Sequence, residues 1–384
     1  MISLPDLSFF AAQTGYTPQM LQWGFDKMLS HWTREGFERF FAQECPELSA
    51  DDVAKALCPE TSFEARCRLF AKPTFKAMLL VTASTVPSAA FQDVFLSLLL
   101  PIRVTHRPAG CQHALFQALH ACLEHQFPEL ASRWTIVAPD HDDTRTEALI
   151  EAHDVLNVSG SDATIGHFRK LAMQSKRKPF FIAHGHRLSA VALFQRDISE
   201  LEDKDFDALA LDASVWDQTG CLSPKIFFFE GSAEDAARFA QRLIESLDKV
   251  ALHLPELPPD SAQLAAVNSA CLMAQFDGAR IFKAHRNHDV IVLHSNFEAF
   301  RPVLLPRTLN LCPVEHALDA AMRLAPNGQA LASRVPLAQD DALRLRKQAG
   351  FNYFPRFGNM QDPPLTWLHD DIGTIKPLFP KEMI

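Results

Sequence analysis

Apolar positions recur along this chain in two rhythms. Through the first 65 or so residues, short apolar clusters such as Met20-Leu21 and Phe37, Phe40 and Phe41 are separated by charge, which predicts a helical N-terminal element. From Ala77 the pattern becomes strand and helix in alternation. Strands are predicted at 78–82, 102–105, 134–138 and 155–158, with helices at 88–100, 111–124, 144–152 and 165–173. Alternation of this kind predicts an α/β protein with a parallel sheet covered on both faces. Apolar runs at 180–183 and 190–194 follow, then an acidic, polar link at 200–207 where the change in composition predicts a domain boundary near residue 210. Beyond it, 226–229 reads as a strand, and Ser232 with Asp235 forms a capping-box-like helix start. Ala236, Phe239, Ala240, Leu243, Ile244 and Leu247 then recur at the spacing of one buried helical face. The second domain therefore also begins as α/β.

With 384 residues, of which 47% are hydrophobic and 22% charged, the chain is long enough for two cores. A net charge of -9 without a basic block argues against a nucleic-acid or anionic-membrane surface. The most apolar stretch, 77–104, is interrupted by Pro87, Gln92, Asp93 and Pro101, so no membrane span is predicted. Eight cysteines include no Cys-x-x-Cys pair, and the N-terminus lacks a basic segment leading into an apolar one. Those features predict a cytoplasmic protein with reduced thiols.

The segment Asp217-Gln218-Thr219-Gly220-Cys221-Leu222-Ser223-Pro224 sets one cysteine in a polar turn ahead of the strand at 226–229. A thiol presented this way can act as a nucleophile when a helix N-terminus or a cation favours its thiolate, and Lys225 is close in sequence. The competing reading is a small buried hydrophobe. None of Cys45, Cys58, Cys67, Cys111, Cys122, Cys271 and Cys312 combines a preceding Gly with a Ser-Pro just after it. A second candidate is the turn from Ser159 through Gly160 and Ser161 to Gly166. It is either a phosphate- or ribose-binding helix N-terminus or a plain connection with Ser161 as N-cap. One α/β unit earlier, Arg103, His106 and Arg107 offer cations without an acid, which favours NADPH, with its 2'-phosphate, over NADH. The alternative is that they are solvated surface charges.

His184-Gly185-His186 and Asp140-His141-Asp142-Asp143 lack further ligands at a metal spacing, so no metal site is predicted. His369-Asp370-Asp371 follows the rigid Pro363-Pro364-Leu365-Thr366-Trp367 and either lines a site or clasps the first domain.

Two motifs together resemble the LuxC-type acyl-CoA (fatty-acyl) reductases of the aldehyde dehydrogenase superfamily. They are the Cys221 segment and Gly358-Asn359-Met360-Gln361-Asp362-Pro363-Pro364-Leu365-Thr366-Trp367-Leu368-His369-Asp370. Val86-Pro87, Arg107-Pro108, and Gly160-Ser161 with Gly166 agree in order with looser family positions. The resemblance covers the chain from about Ala77 onward. It implies an aldehyde dehydrogenase-like α/β fold with a helical N-terminal element at 1–68. A Rossmann-like NADP-binding domain is implied at 69–209, joined by 350–384, with a catalytic cysteine domain at 210–349.

The reaction so implied is NADPH-dependent reduction of an acyl thioester to an aldehyde through a thioacyl-Cys221 intermediate. Its acyl donor is acyl-CoA or an acyl-loaded synthetase, and a homo-oligomer is implied as well. The backbone N–H of Cys221 and a donor at Thr85 would meet the oxyanion; the family commonly has Asn at the latter position. Residues 181–188 lack the glutamate with which hydrolytic relatives activate water, which agrees with reduction. His184, His186 and His369 are candidates for protonating the alkoxide or the leaving thiolate. Two other readings are an NAD-dependent CoA-acylating aldehyde dehydrogenase and a catalytically weakened binding subunit of an acyl-activating complex.

Overall fold

Ahead of the first strand the chain forms helices α1 (Pro18–Ser30), α2 (Arg34–Glu44), α3 (Ala50–Leu57) and α4 (Phe63–Leu69). The first three begin where a side chain satisfies an orphan backbone donor: Thr17 accepts from Met20, Thr33 from Gly36, and Ser49 with Asp52 forms a capping box. The computed structural model describes residues 3–58, 61–69, 75–139, 142–295 and 301–379. By internal contacts the chain divides into one unit of Met1–His186 with Pro364–Ile384 and another of Arg187–Pro363.

The first unit holds β1 (Ala77–Val81), α5 (Pro87–Leu99), β2 (Arg103–Arg107), α6 (His113–Gln126), β3 (Trp134–Ile136), α7 (Asp143–Glu151), β4 (Val155–Ser159), α8 (Asp162–Gln174) and β5 (Phe180–His184). All five residues of β1 are apolar and buried, as a central strand covered on both faces requires. The parallel strands lie in the order β3-β2-β1-β4-β5. Chain direction across the sheet reverses between β1 and β4, and the carboxyl edge at such a switch point is where nucleotides bind in folds of this kind. Leu79, Val81, Leu156 and Val158 meet Ile165, Phe168 and Leu171 of α8 in one core. Trp32 stacks on Phe95 of α5 at 4.2 Å between ring centroids, tying the N-terminal helices to this layer.

The second unit holds β6 (Leu188–Leu193), α9 (Asp203–Ser214), β7 (Pro224–Glu230), α10 (Ala233–Val250), α11 (Ser261–Phe276), β8 (Arg280–Lys283), β9 (Val290–Leu293), β10 (Thr308–Val314), α12 (Ala317–Met322), β11 (Gly328–Ser333) and α13 (Gln339–Ala349). Its sheet runs β11-β6-β7-β10-β9-β8, parallel except for β8, which pairs antiparallel with β9. The Phe-rich β7 serves two layers. Phe227 and Phe229 pack on Phe239 of α10, while Ile226 and Phe228 join Ala190, Cys312 and Leu331 on the other face. Burying each such Phe contributes about 1.5–3 kcal/mol. The units part at 186/187 instead of near 210, because β6 pairs with β7 and β11 and so carries 187–209 into the second sheet. Among the described residues no helix is long and apolar enough to cross a membrane.

Candidate active site

Cys221 is half-buried in the turn between α9 and β7, within the second unit. The polar residues of its motif hold the turn. Trp216, Asp217 and Gln218 adopt left-handed φ values of 58°, 48° and 59°, a run that costs roughly 1 kcal/mol or more per non-glycine residue. It persists because each member is pinned. Trp216 is 2% exposed. Asp217 accepts from Arg307 at 2.9 and 2.6 Å. The Gln218 amide donates to the Pro224 carbonyl at 2.7 Å and accepts from the Thr308 N–H at 2.8 Å. Lys225, which sequence placed beside the thiol, donates to the Gln218 carbonyl, and burial pushes its pKa down to about 8. From β6, the Ser189 hydroxyl donates to the carbonyl of Cys221 itself at 2.7 Å.

The C-terminal signature reaches the same turn. Gln361 donates to the Ser223 hydroxyl at 3.2 Å, so the two motifs meet although they lie 138 residues apart. Gly358, at φ 82°, brings the backbone within a Cβ's reach of Ala208; a side chain there would stand 3.0 Å from the Ala208 Cβ. That approach lets the buried carboxylate of Asp212 accept from the N–H groups of Gly358 and Met360 at 2.6 and 2.9 Å. Burial pushes the Asp212 carboxyl up to about 8, against those hydrogen bonds.

In the first unit, Thr85 lies in the loop after β1 and Gly160-Ser161 in the turn after β4, the two strands flanking the switch point. The Thr85 carbonyl accepts from the Tyr16 hydroxyl, a restraint supplied by the N-terminal element that sequence did not reveal. Ser161 caps α8 by accepting from Thr164 at 3.2 Å, and Asp162 places a carboxylate in the first helical turn. Gly166 is exposed one turn further along, with open space where a Cβ would stand. Arg107 ends β2 at the carboxyl edge, donating to the Thr146 hydroxyl at 3.0 Å and lying over the Phe168 ring.

Two cations of the same constellation are corrected. Arg103 begins β2 and so sits about 13 Å of strand away from the carboxyl edge. His106 is fully buried, bonded to Thr82 at 2.9 Å and edge-on to Phe116; burial pushes its pKa down to about 3, leaving it neutral.

His184 and His369 are brought together: their rings stack at 4.3 Å and 11°. Asp370, which sequence did not single out for a role, accepts from His184 Nδ1 at 3.0 Å; the two side chains are 9% and 2% exposed. Asp93 of α5 adds an acid here, its carboxyl pushed up to about 6 by burial and opposed by the charge of His184. The donor atoms of His184, His369 and Asp370 lie within 4.8 Å of one another. An ion in the plane of one imidazole lies out of the plane of its stacked partner, so the geometry suits a hydrogen-bonded His-Asp pair better than a shared metal. His186 is exposed, with its N–H on Asp162. Residues 364–379 also clasp the N-terminal helices, through Gln43 to the Thr366 carbonyl and Glu44 to the Ile375 and Lys376 N–H groups. In the acidic loop Asp142 caps α7, whereas Asp140 and His141 lie outside the described residues.

Among solved structures, a NAD-dependent benzaldehyde dehydrogenase from Corynebacterium glutamicum is similar at a TM-score of 0.58 and 11% identity, covering 92% of this chain and 83% of its own. A succinic semialdehyde dehydrogenase from Streptococcus pyogenes, in complex with NADP+, gives 0.57 and 12%, covering 93% and 82%. A structure described as the aldehyde dehydrogenase PutA from Anabaena variabilis gives 0.56 and 15%, covering 95% and 86%. These likenesses establish an aldehyde dehydrogenase-like fold. No curated protein matches the sequence. The family model for the LuxC acyl-CoA reductases matches residues 6–379, nearly the whole chain, and the protein therefore belongs to that family of aldehyde-forming oxidoreductases.

Proposed function

We propose that the protein reduces an acyl thioester to an aldehyde with NADPH through a thioacyl intermediate on Cys221. The observation that supports this best is the convergence of both family motifs on the turn that holds Cys221, through Gln361 and Ser223. In the proposed reaction the Cys221 thiolate adds to the thioester carbonyl, the bond to the departing sulfur breaks, and that thiolate takes up a proton. The backbone N–H of Cys221 and the Thr85 hydroxyl are the donors for the tetrahedral oxyanion. Bound NADPH supplies the hydride that brings the acyl carbon to the aldehyde level. Collapse of the resulting thiohemiacetal returns Cys221 as a thiolate. His184, oriented by Asp370, and His369 are the proton donors we assign to these steps.

The strand order of the first sheet and the turn at Ser159–Ser161 suit a nucleotide, with Gly160, Ser161, Gly166 and Arg107 as the residues to hold it. The acyl donor is acyl-CoA or an acyl-loaded synthetase, and we place the enzyme in the reducing cytoplasm as a homo-oligomer. Purified protein given an acyl-CoA series, NADPH and an aldehyde trap should oxidise one nicotinamide per aldehyde formed. Absence of aldehyde from both acyl-CoA and an acyl-loaded partner sinks the proposal.

Cofactor choice is a separate expectation. NADPH should be preferred over NADH by tenfold or more in kcat/KM, on the order of one lost charge-assisted hydrogen bond, and Arg107→Gln should erase the preference. A wild-type preference for NADH defeats the assignment of Arg107.

Thr85 also motivates a second reading, a binding subunit with the fold but little turnover. An amide reaches further than a hydroxyl, so Thr85→Asn should raise kcat about tenfold and Thr85→Val lower it by a similar factor. Unchanged kcat in both variants would remove Thr85 from the oxyanion site.

A further inference from the structure

Arg307 is 86 residues beyond Cys221 in sequence and belongs to no motif, yet three carboxylates, Asp217, Glu256 and Asp289, converge on it. Its side chain is 4% exposed. Nε and Nη2 bond Asp217 Oδ1 at 2.9 and 2.6 Å, Nη1 reaches both oxygens of Asp289 at 3.2 and 3.3 Å, and Nε lies 3.1 Å from Glu256. Burial opposes its charge, yet Asp289, Asp217 and Glu256 together hold its pKa above the usual arginine range. Asp289 and Glu256 are themselves tied to the neighbouring loop. Asn287 donates to Asp289, and the His288 N–H donates to Glu256 at 2.7 Å.

We propose that Arg307 is a positioning residue for Cys221, acting through Asp217 on the left-handed run that leads into the nucleophile turn. This rests on Cys221 being the nucleophile. The run Trp216–Gln218 is unfavourable for side-chain-bearing residues and stays in place only while its surroundings over-determine it. Asp217 is its middle member, and the bonds the Asp217 side chain makes to Arg307 fix it from outside the turn. Arg307 immediately precedes β10 and Thr308 begins it, and the Thr308 N–H donates to Gln218 at 2.8 Å, so two successive residues of the run are referenced to two successive residues at the head of one strand. That strand pairs with β7, which begins three residues after Cys221. The backbone on both sides of the thiol is thus located by β10. Release of Asp217 lets the run relax to a right-handed or extended conformation, which swings Cys221 relative to the carbonyl it attacks. Reactions of this kind lose rate steeply for displacements of about 1 Å.

A planar fork serving Asp217 on one edge and Asp289 on the other is a demand that lysine cannot meet. The test compares full-length Arg307→Gln, Arg307→Lys and Asp217→Asn with wild type in three readouts. These are kcat and KM with acyl-CoA and NADPH, the melting temperature, and the rate of Cys221 alkylation by iodoacetamide relative to exposed Cys111 in the same molecule, resolved by peptide mass spectrometry. Arg307→Gln and Asp217→Asn are expected to lower kcat by thirtyfold or more with KM changed less than threefold, and to change the Cys221-to-Cys111 alkylation ratio by tenfold or more. Arg307→Lys should fall between these and wild type, and the double variant should be no worse than the poorer single. Kinetics and alkylation ratio within twofold of wild type in Asp217→Asn overturn the proposal. Being isosteric, that variant decides alone if Arg307→Gln does not fold. Should Cys221→Ala retain full turnover, the nucleophile assignment fails, and the alkylation ratio still reports on whether Arg307 positions the thiol.

Discussion

Cys221→Ala is expected to lower aldehyde formation by at least about a thousandfold, since removal of a covalent nucleophile leaves only binding and oxyanion stabilisation. Several of the other thiols are poor substitutes. Burial pushes up the pKa of Cys45, Cys122, Cys271 and Cys312, and a thiol that stays protonated neither attacks a thioester nor leaves from a thiohemiacetal. The half-reaction isolates the step. Without nicotinamide, wild type mixed with acyl-CoA should release one equivalent of free CoA thiol and gain an acyl mass on the peptide bearing Cys221. The alanine variant should do neither. A full equivalent of thiol released by Cys221→Ala would move the intermediate to another residue and leave the reductase activity to be explained without this turn.

The second large effect is on stability. Asp212→Ala strands the N–H groups of Gly358 and Met360, and two unsatisfied donors that are buried or half-buried cost about 2–6 kcal/mol together. Asp212 also makes stability depend on pH. Burial raises its carboxyl to about 8 in the folded protein, whereas in the unfolded chain it titrates near 3.9. Between those values the folded state keeps a proton that the unfolded state has released, so unfolding is favoured increasingly as pH rises. The stabilising contribution is complete below about pH 4 and declines as pH climbs towards 8. His106 acts on the opposite limb. Its folded pKa near 3 lies below its unfolded value near 6.5, so stability is lost as pH falls through that interval. Urea midpoints of wild type and Asp212→Asn, measured at pH 5.5 and 8.5, should diverge, the wild type losing more at the higher pH. Parallel midpoints would show that Asp212 ionises normally in the folded protein.

The architecture was readable because its signals are local. Eight elements of the first unit show as apolar runs and helical stripes near their observed bounds, and Cys221 stands out by the small polar residues that make its turn. What the pattern does not carry is long-range pairing. Ser189, Arg307 and Gln361 reach the turn from β6, from the start of β10 and from the C-terminal signature, and no spacing rule links them to it. The His184-Asp370 pair spans 186 residues. His106 is a different case. On β2 it shares the phase of buried Val104, opposite to Arg103, Thr105 and Arg107, so strand alternation alone assigns it to the interior. The boundary near 210 failed for another reason: the acidic link 200–207 runs into the start of α9, and a charged helix start resembles a linker in composition.

The contact between Gln361 and Ser223 bears on how the enzyme is made. A chain emerging from the ribosome completes β7 well before residues 358–361 exist, so through that interval the turn bearing Cys221 lacks the Gln361 bond and Asp212 lacks the backbone donors of Gly358 and Met360. The brace on this turn is completed only once residues 358–361 have been made. A nascent or prematurely terminated chain carries the cysteine without the brace.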